Sequence, residues 1–157
     1  MPGPAYQAHG WSIYLYPPFA ARFRALIAEV QGLERANPEG FKRHASTKLL
    51  GALTGIIRDL VPRNPDAPEF RLGATLGPYT QWRRVKGHGL PVRYRLFYRF
   101  MSKAKVLVFA WLNDDDTLRK ADAKTDVYAV FQKMLARGEV PDDFEALLTQ
   151  AQESAAP

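Results

Sequence analysis

The chain of 157 residues contains no cysteine, which excludes disulfide bonds, thiolate nucleophiles and cysteine metal ligands. It has no apolar run near the roughly 18 residues that a membrane helix needs. Its first residues, Met1–Ala5, lack the basic and apolar segments of a secretory signal. We therefore expect a cytoplasmic protein without a membrane partner, and the length predicts one domain over residues 1–157.

Acidic residues are missing from the middle of the chain, although the whole chain carries 16. None lies between Glu69 and Asp114, whereas the rest of the chain has 13 basic and 16 acidic residues. The basic residues of this acid-free segment are Arg71, Arg83, Arg84, Lys86, Arg93, Arg95, Arg99, Lys103 and Lys105. Segregated positive charge is typical of a protein that binds a polyanion, and a solvated basic face is the alternative.

The first third of the chain predicts one strand and two helices. Alternating apolar residues predict a strand over Trp11–Tyr16. Helical spacing from Phe19 to about Arg35 predicts an amphipathic helix. Asn37 followed by Pro38 predicts the start of a second helix, which ends near residues 61–62.

The rest of the chain predicts a meander of strands followed by helices. After a Pro- and Gly-rich connection over residues 62–81, tight turns join three segments of strand character: Trp82–Lys86, Val92–Phe100 and Lys105–Leu112. A helix is predicted over Val127–Leu135, a short helix from Pro141, and a frayed end from Glu153. This order predicts an α+β fold with helices against one face of an antiparallel sheet.

The second meander strand carries the densest pattern of basic side chains. Alternation places four residues on one face, namely Arg93, Arg95, Phe97 and Arg99, and leaves Tyr94, Leu96, Tyr98 and Phe100 on the other. Arg84 and Lys86 share a face of the preceding strand. Together these cations predict a phosphate-binding surface on which Phe97 stacks a base. The alternative is an exposed sheet edge protected by charge.

Such a surface has the groups that RNA cleavage requires. Cleavage by the 2′-hydroxyl needs a base, charge stabilisation at phosphorus and an acid. Like charge favours the neutral, basic form of a lysine among arginines. Tyr128, in the first turn of a helix, either packs in the core or points its hydroxyl into this site. His88 is an alternative base.

A metal site is not expected, and the sequence predicts no cofactor. The only candidate ligands are the consecutive acids of residues 114–116. Consecutive carboxylates rarely converge on one ion, and no nearby histidine or spaced glutamate completes a site. A turn stabilised by these acids is the preferred interpretation.

Several segments follow one another in an order typical of one family. They are HGWSIYLYPPF (9–19), KLL (48–50), WRRVKG (82–87), RYRLFYR (93–99) and WLNDDDTLRKADAKTDVYAVFQKML (111–135). The chain resembles, from about His9 to Leu147, the YhaV toxins of type II toxin–antitoxin systems, which are placed in the RelE superfamily. The last segment is the most specific of them.

The resemblance implies a RelE-like α+β fold: a small twisted antiparallel sheet, two N-terminal helices packed on it and a C-terminal helix. It implies metal-independent cleavage of mRNA, often on or near the ribosome. It also implies a PrlF-type antitoxin with an AbrB-like fold, and operator DNA as a partner only through the antitoxin complex.

The family pattern also selects residues. A basic-x-basic pair matches Arg84 and Lys86, and a Tyr-Arg-x-x-Tyr pattern matches Tyr94, Arg95 and Tyr98. An arginine after the last strand and a tyrosine near the next helix match Arg119 and Tyr128, and Lys124 is a substitute for either.

The leading hypothesis is therefore RNA cleavage by transesterification. Lys86 is the expected base, and Tyr128 or Lys124 assists proton transfer. The phosphate is held by Arg84, Arg95 and Arg119, and RNA is bound by Arg83, Arg93, Phe97 and Arg99. The alternatives are a non-catalytic RNA- or DNA-binding module and an inactive subunit of a repressor complex.

Overall fold

The computed structural model describes residues 3–153, and most of the end predicted to fray lies outside them. Its strands are β1 (Tyr6–Ala8), β2 (Trp11–Leu15), β3 (Arg83–Val85), β4 (Leu96–Met101) and β5 (Val106–Leu112). They form one sheet in the order β1-β2-β5-β4-β3. The four predicted strands are confirmed, three of them with shorter bounds and β4 shifted to end one residue later, whereas β1 was not predicted.

The sheet is mixed, so the prediction of an antiparallel sheet is only partly correct. The meander of β3, β4 and β5 is antiparallel, as its tight turns predicted. β2 instead runs parallel to β5, with Ile13 opposite Leu107. This pairing places β5 between two strands, which explains why it is apolar on both faces.

The first two helices begin and end differently from the prediction. Helix α1 spans Pro17–Ala36, and α2 spans Ala45–Gly55. Asn37 ends α1 rather than starting α2: its backbone N–H donates to the Leu33 carbonyl, and its side chain accepts from Gly40 N–H in the connecting loop. His44 caps α2 instead, since its ring accepts a hydrogen bond from Ser46 N–H.

Helix α2 continues through a π-helical turn at Ile56–Leu60 and a last turn at Val61–Arg63. The connection that follows is not structureless, because it buries Phe70, Leu72 and Leu76 against the domain. Among the described residues, no helix is both long and apolar enough to cross a membrane.

Helices cover both faces of the sheet, so the prediction that they pack on one face is wrong. Helices α1 and α2 pack on one face, and α3 (Val127–Ala136) and α4 (Phe144–Gln152) pack on the other. The reason is visible in β4, where Tyr98 belongs to the first core and Phe97 to the second. A strand that is apolar on both sides needs cover on both sides.

Candidate active site

Arg95 and Tyr128 meet where the start of β4 approaches the first turn of α3. Arg95 immediately precedes β4, and Tyr128 is the second residue of α3. Arg95 Nε donates a 3.1 Å hydrogen bond to the Tyr128 hydroxyl, and its Nη1 donates to the Tyr94 carbonyl at 2.8 Å. The fold therefore joins two of the predicted site residues, which lie 33 positions apart.

Arg84 lies beside this pair with part of its guanidinium unsatisfied. It is opposite Phe97 in the sheet, so its side chain shares a face with Arg95. Only 8% of Arg84 is exposed. Its Nη2 reaches the Arg71 carbonyl at 3.5 Å, whereas its Nε and Nη1 have no hydrogen-bond partner among the described residues. Because buried polar groups are almost always paired, two unpaired nitrogens on one guanidinium are unusual, and their chemistry suits an anion.

The charges of the three residues are coupled. Burial is the main cause that lowers the pKa of Arg84 below its ordinary value, and the positive charge of Arg95 acts in the same direction. The Tyr128 hydroxyl opposes both. Since a guanidinium remains charged at neutral pH, an anion placed between the two arginines removes their repulsion.

Arg119 joins the group from the segment that leads into α3. Its Nη1 lies 2.8 Å from Asp126 Oδ1, and its guanidinium lies 5.0 Å from the centre of the Tyr128 ring. Arg84, Arg95, Arg119 and Tyr128 are called the cationic cluster below. All four were predicted as site residues.

Asp126 fixes two members of the cationic cluster. Its Oδ1 accepts from Arg119 and from Lys120 N–H at 2.6 Å, and its Oδ2 accepts from Tyr128 N–H at 3.2 Å. Burial by itself raises the pKa of this carboxyl, but the hydrogen bonds from Arg119 and Lys120 outweigh it and hold the pKa below its usual value. One buried carboxylate thus caps α3 and orients Arg119.

Two open cavities flank the cationic cluster. One, of about 350 Å³, is lined by Lys86, Gly87, Leu90, Pro91, Val92, Arg93 and Arg95. The other, of about 320 Å³, is lined by Thr75, Arg119, Ala121, Asp122, Asp126, Tyr128, Ala129 and Gln132. The hydrogen bond between Arg95 and Tyr128 links the two linings. Predicted residues Lys86 and Arg93 therefore lie beside the cluster, both exposed.

Other predicted residues are not part of the cationic cluster, although the Phe97 ring packs edge-on against Tyr128 with ring centres 5.8 Å apart. Phe97, expected to be exposed, is fully buried and stacks on Phe131 with ring centres 4.3 Å apart. Arg99 packs over the Trp82 and Phe144 rings and donates to the Asp142 carbonyl. Side chains from α3 and α4 cover this part of the sheet, which the prediction of one-sided packing missed.

Arg83, Lys124 and His88 are also outside the cluster. Arg83 points to the opposite face and pairs with Asp66 at 2.9 Å. Lys124 is exposed in the loop before α3 and, in the described part of the chain, forms no hydrogen bond or ion pair with the cluster. His88 lies 3.3 Å from Glu69 on the surface.

The acids of residues 114–116 stabilise local structure. Asp114 Oδ1 accepts from Asp116 N–H at 3.0 Å and from the Thr117 hydroxyl at 2.9 Å. Asp115 accepts from the Tyr94 hydroxyl at 2.9 Å. Within residues 3–153, no group of three histidine, aspartate or glutamate side chains is placed to hold a metal ion. The hydrogen bonds of Asp114 agree with the turn that the sequence predicted.

Sequence reasoning missed Asn113, which supports the backbone of Arg95. The fully buried Asn113 amide accepts from Arg95 N–H at 2.7 Å and donates to the Arg93 and Thr117 carbonyls at 3.1 and 2.7 Å. It also missed the role of Asp126. An aspartate directly before an apolar periodic segment is the usual signal of a helix cap, but nothing local reveals its pairing with Arg119.

Comparison with known proteins identifies the family. The model of the YhaV toxins, described as toxins with endonuclease activity of a toxin–antitoxin system, matches residues 13–152. This chain belongs to the YhaV toxin family. It is 44% identical over 151 residues to "Toxin YhaV" of Escherichia coli O6:H1 (strain CFT073), which covers 94% of this chain and 96% of that protein.

A second relative adds a more specific name. The chain is 43% identical over 151 residues, with the same coverage, to "Ribonuclease toxin YhaV" of Escherichia coli strain K12. The resemblance inferred from the sequence is thus confirmed, and the protein is a toxin with endonuclease activity. Membership of a toxin–antitoxin system implies an antitoxin partner. No solved structure matches the chain.

Proposed function

We propose that this YhaV toxin is a metal-independent endoribonuclease that cleaves RNA by attack of a 2′-hydroxyl on the adjacent phosphate. One observation carries the proposal: the fold assembles guanidiniums from separate segments around Tyr128, and one of them, Arg84, is buried with two free donors. The name of the Escherichia coli K12 relative supports RNA as the substrate.

The reaction needs no group beyond side chains and RNA. The 2′-oxygen loses its proton to Lys86 and forms a bond to phosphorus, while the bond from phosphorus to the 5′-oxygen breaks. Tyr128 donates its proton to the departing 5′-oxygen. Because Arg95 Nε donates to the Tyr128 oxygen, the hydroxyl hydrogen is free to point elsewhere. The products are a 2′,3′-cyclic phosphate and a 5′-hydroxyl.

The arginines of the cationic cluster stabilise the charge that develops at phosphorus. Arg84 offers two unpaired donors, and Arg95 lies on the same face. Donors that are fixed before reaction stabilise a transition state at little reorganisation cost. Between the two candidate proton donors, the contact with Arg95 favours Tyr128 over Lys124.

The fold type, location and partner are proposed from the resemblance. The antiparallel meander with α1 and α2 on one face supports a RelE-like core. We propose that the toxin acts in the cytoplasm on mRNA, including ribosome-bound mRNA. Its antitoxin is proposed to be of the PrlF type, and operator DNA is reached only through the complex.

The decisive experiment uses a short RNA and the same RNA with one 2′-deoxy nucleotide at the cleavage site. We expect purified toxin to cleave the first and leave the second intact, because the nucleophile is missing. The new ends are expected to be a cyclic phosphate and a 5′-hydroxyl, and cleavage is expected to persist in EDTA. Cleavage of the deoxy substrate, or activity restored only by Mg²⁺ or Mn²⁺, would overturn the mechanism.

Asp126→Asn is expected to impair catalysis by releasing Arg119. The carboxylate accepts with both oxygens, whereas an amide accepts with only one, so one partner loses its hydrogen bond. We expect a loss of roughly 1–3 kcal/mol of stability at neutral pH, as for hydrogen bonds to charged groups. Turnover is expected to fall about 10-fold, less than the loss of about 10²–10³-fold for a removed donor, because Arg119 is released rather than removed.

The pH dependence of the melting temperature distinguishes the loss of the Asp126 charge from a general destabilisation of the fold. Because the pKa of Asp126 is lowered in the folded state, its stabilisation exists above the unfolded pKa and disappears as pH falls through the folded pKa. The melting temperatures of the two proteins should therefore converge in acid. Asp143→Asn, at the cap of α4, is the matched control and should retain activity. Equal turnover losses in both variants would contradict a role for Asp126 in the site.

A further inference from the structure

The turn over Pro91–Tyr94 carries a strained arginine beside the cationic cluster. Tyr94 N–H donates to the Pro91 carbonyl at 3.0 Å, which closes the turn. Arg93 adopts φ +75°, at the position where a type II turn requires positive φ and where glycine or asparagine is favoured. A long side chain therefore occupies a position whose backbone conformation favours glycine, which has no side chain.

The surrounding residues hold this turn rigidly against the site. The Arg93 carbonyl accepts hydrogen bonds from Asn113 Nδ2 and from Arg119 N–H, both at 3.1 Å. Leu90, just before the turn, is buried in the core with 7% of its surface exposed. Asn113, which also supports Arg95, and the backbone of Arg119 thus anchor the turn that carries Val92 and Arg93.

The exposed side chains of the turn have two chemical characters. Val92 is 88% exposed, and Met101 is the other large apolar residue exposed among those that the structure describes. The Arg93 side chain is exposed and forms no ion pair or hydrogen bond with any other residue of the range 3–153. Val92 and Arg93 line the cavity of about 350 Å³ whose lining also includes Lys86 and Arg95.

Apolar surface bordered by cations is complementary to a nucleotide. Single-stranded nucleic acid offers an apolar base face next to a phosphate, and its binding sites combine contacts to the base with positive charge along the backbone. A strained backbone conformation persists at a functional site when it places a side chain that the function needs. The exposed Val92 and the unpaired Arg93 on this strained turn supply the apolar contact and the positive charge of such a site.

We propose that the turn Pro91–Tyr94 is a nucleotide subsite that binds the RNA nucleotide next to the scissile phosphate. Val92, with Pro91, contacts the base, and Arg93 contacts its phosphate. This inference rests on the proposed ribonuclease function and adds the part of the site that selects and holds the neighbouring nucleotide. Phe97, which the sequence suggested for base contact, is buried and unavailable for this role.

The first test replaces Arg93 by glycine. Because glycine relieves the positive φ, we expect the melting temperature to stay unchanged or rise by about 2–4 °C. We expect KM for RNA to rise about 10-fold and the salt dependence of binding to lose about one phosphate contact, with little change in kcat. An unchanged KM, with or without added stability, would overturn the proposal.

The second test isolates the base contact. Val92→Ser is expected to raise KM about 3- to 10-fold for intact RNA. It should have no effect on RNA that carries an abasic nucleotide beside the cleavage site. Met101→Ser, at the other exposed apolar residue, is the control and should leave KM unchanged. Equal effects on intact and abasic RNA, or loss of antitoxin binding alone, would overturn the subsite.

These outcomes are distinguishable from failure of the proposed function. If wild-type toxin does not cleave RNA, the proposed function fails, whatever the turn does. In that case, binding of the 2′-deoxy RNA still compares wild type with Arg93→Gly and Val92→Ser. Equal binding by all three would then overturn the subsite as well.

Discussion

Arg95→Ala is expected to lower the rate of RNA cleavage about 10²- to 10³-fold, the usual loss when one fixed donor to the transition state is removed. The fold should survive, because the backbone N–H of Arg95 keeps its hydrogen bond to Asn113. The side chain hydrogen-bonds to Tyr128 and to the Tyr94 carbonyl and, among the described residues, is not part of the buried core. We therefore expect a change in stability near 0.5 kcal/mol, as for most partly exposed positions.

Two further variants make this result specific. Arg95→Lys should restore little activity, since an ammonium does not reproduce the planar fork or its contact with Tyr128. Arg137→Ala removes the same charge from the other end of α3, where the side chain is exposed, and should cleave RNA normally. A folded Arg95→Ala protein that cleaves at the wild-type rate would remove the central residue of the proposed site.

The sequence predicted those parts of the fold that depend on local patterns. Alternation and tight turns located the meander, and the run of apolar residues identified β5 as a central strand. The parallel pairing of β2 with β5 is set by contacts between residues that are more than 90 positions apart, which no local pattern records. The cap at Asn37 was misassigned because Asn and Pro mark a helix end or start equally well.

The site was predicted in its composition but not in its packing. Charge segregation and spacing selected Arg84 and Arg95, the family resemblance selected Tyr128, and the fold brings the three together. Alternation also selected Phe97, because a face that carries arginines was assumed to be exposed along its whole length. The second helical layer buries half of that face, and it comes from residues more than 30 positions further along the chain. The supporting residues Asn113 and Asp126 act through tertiary contacts, which a single sequence does not show.

Arg84→Met is expected to stabilise the toxin and inactivate it. The guanidinium is buried with two donors that have no partner among the described residues, so the folded state keeps a charge that water no longer solvates. Methionine has a similar length and fits irregular apolar space. Replacement of buried charged groups by apolar side chains is often stabilising, by about 1–4 kcal/mol. At roughly 2–4 °C per kcal/mol for a protein of this size, the melting temperature should rise by several degrees.

The same substitution removes the donors proposed for the phosphate, so we expect cleavage to fall at least about 10²-fold. Binding of the uncleavable 2′-deoxy RNA should raise the melting temperature of wild type more than that of Arg84→Met, because a ligand stabilises only the form that it binds. Arg99→Met is the matched control, since that side chain packs on Trp82 and Phe144 instead, and it should retain activity. A less stable but active Arg84→Met protein would show that the guanidinium supports the fold and not the phosphate.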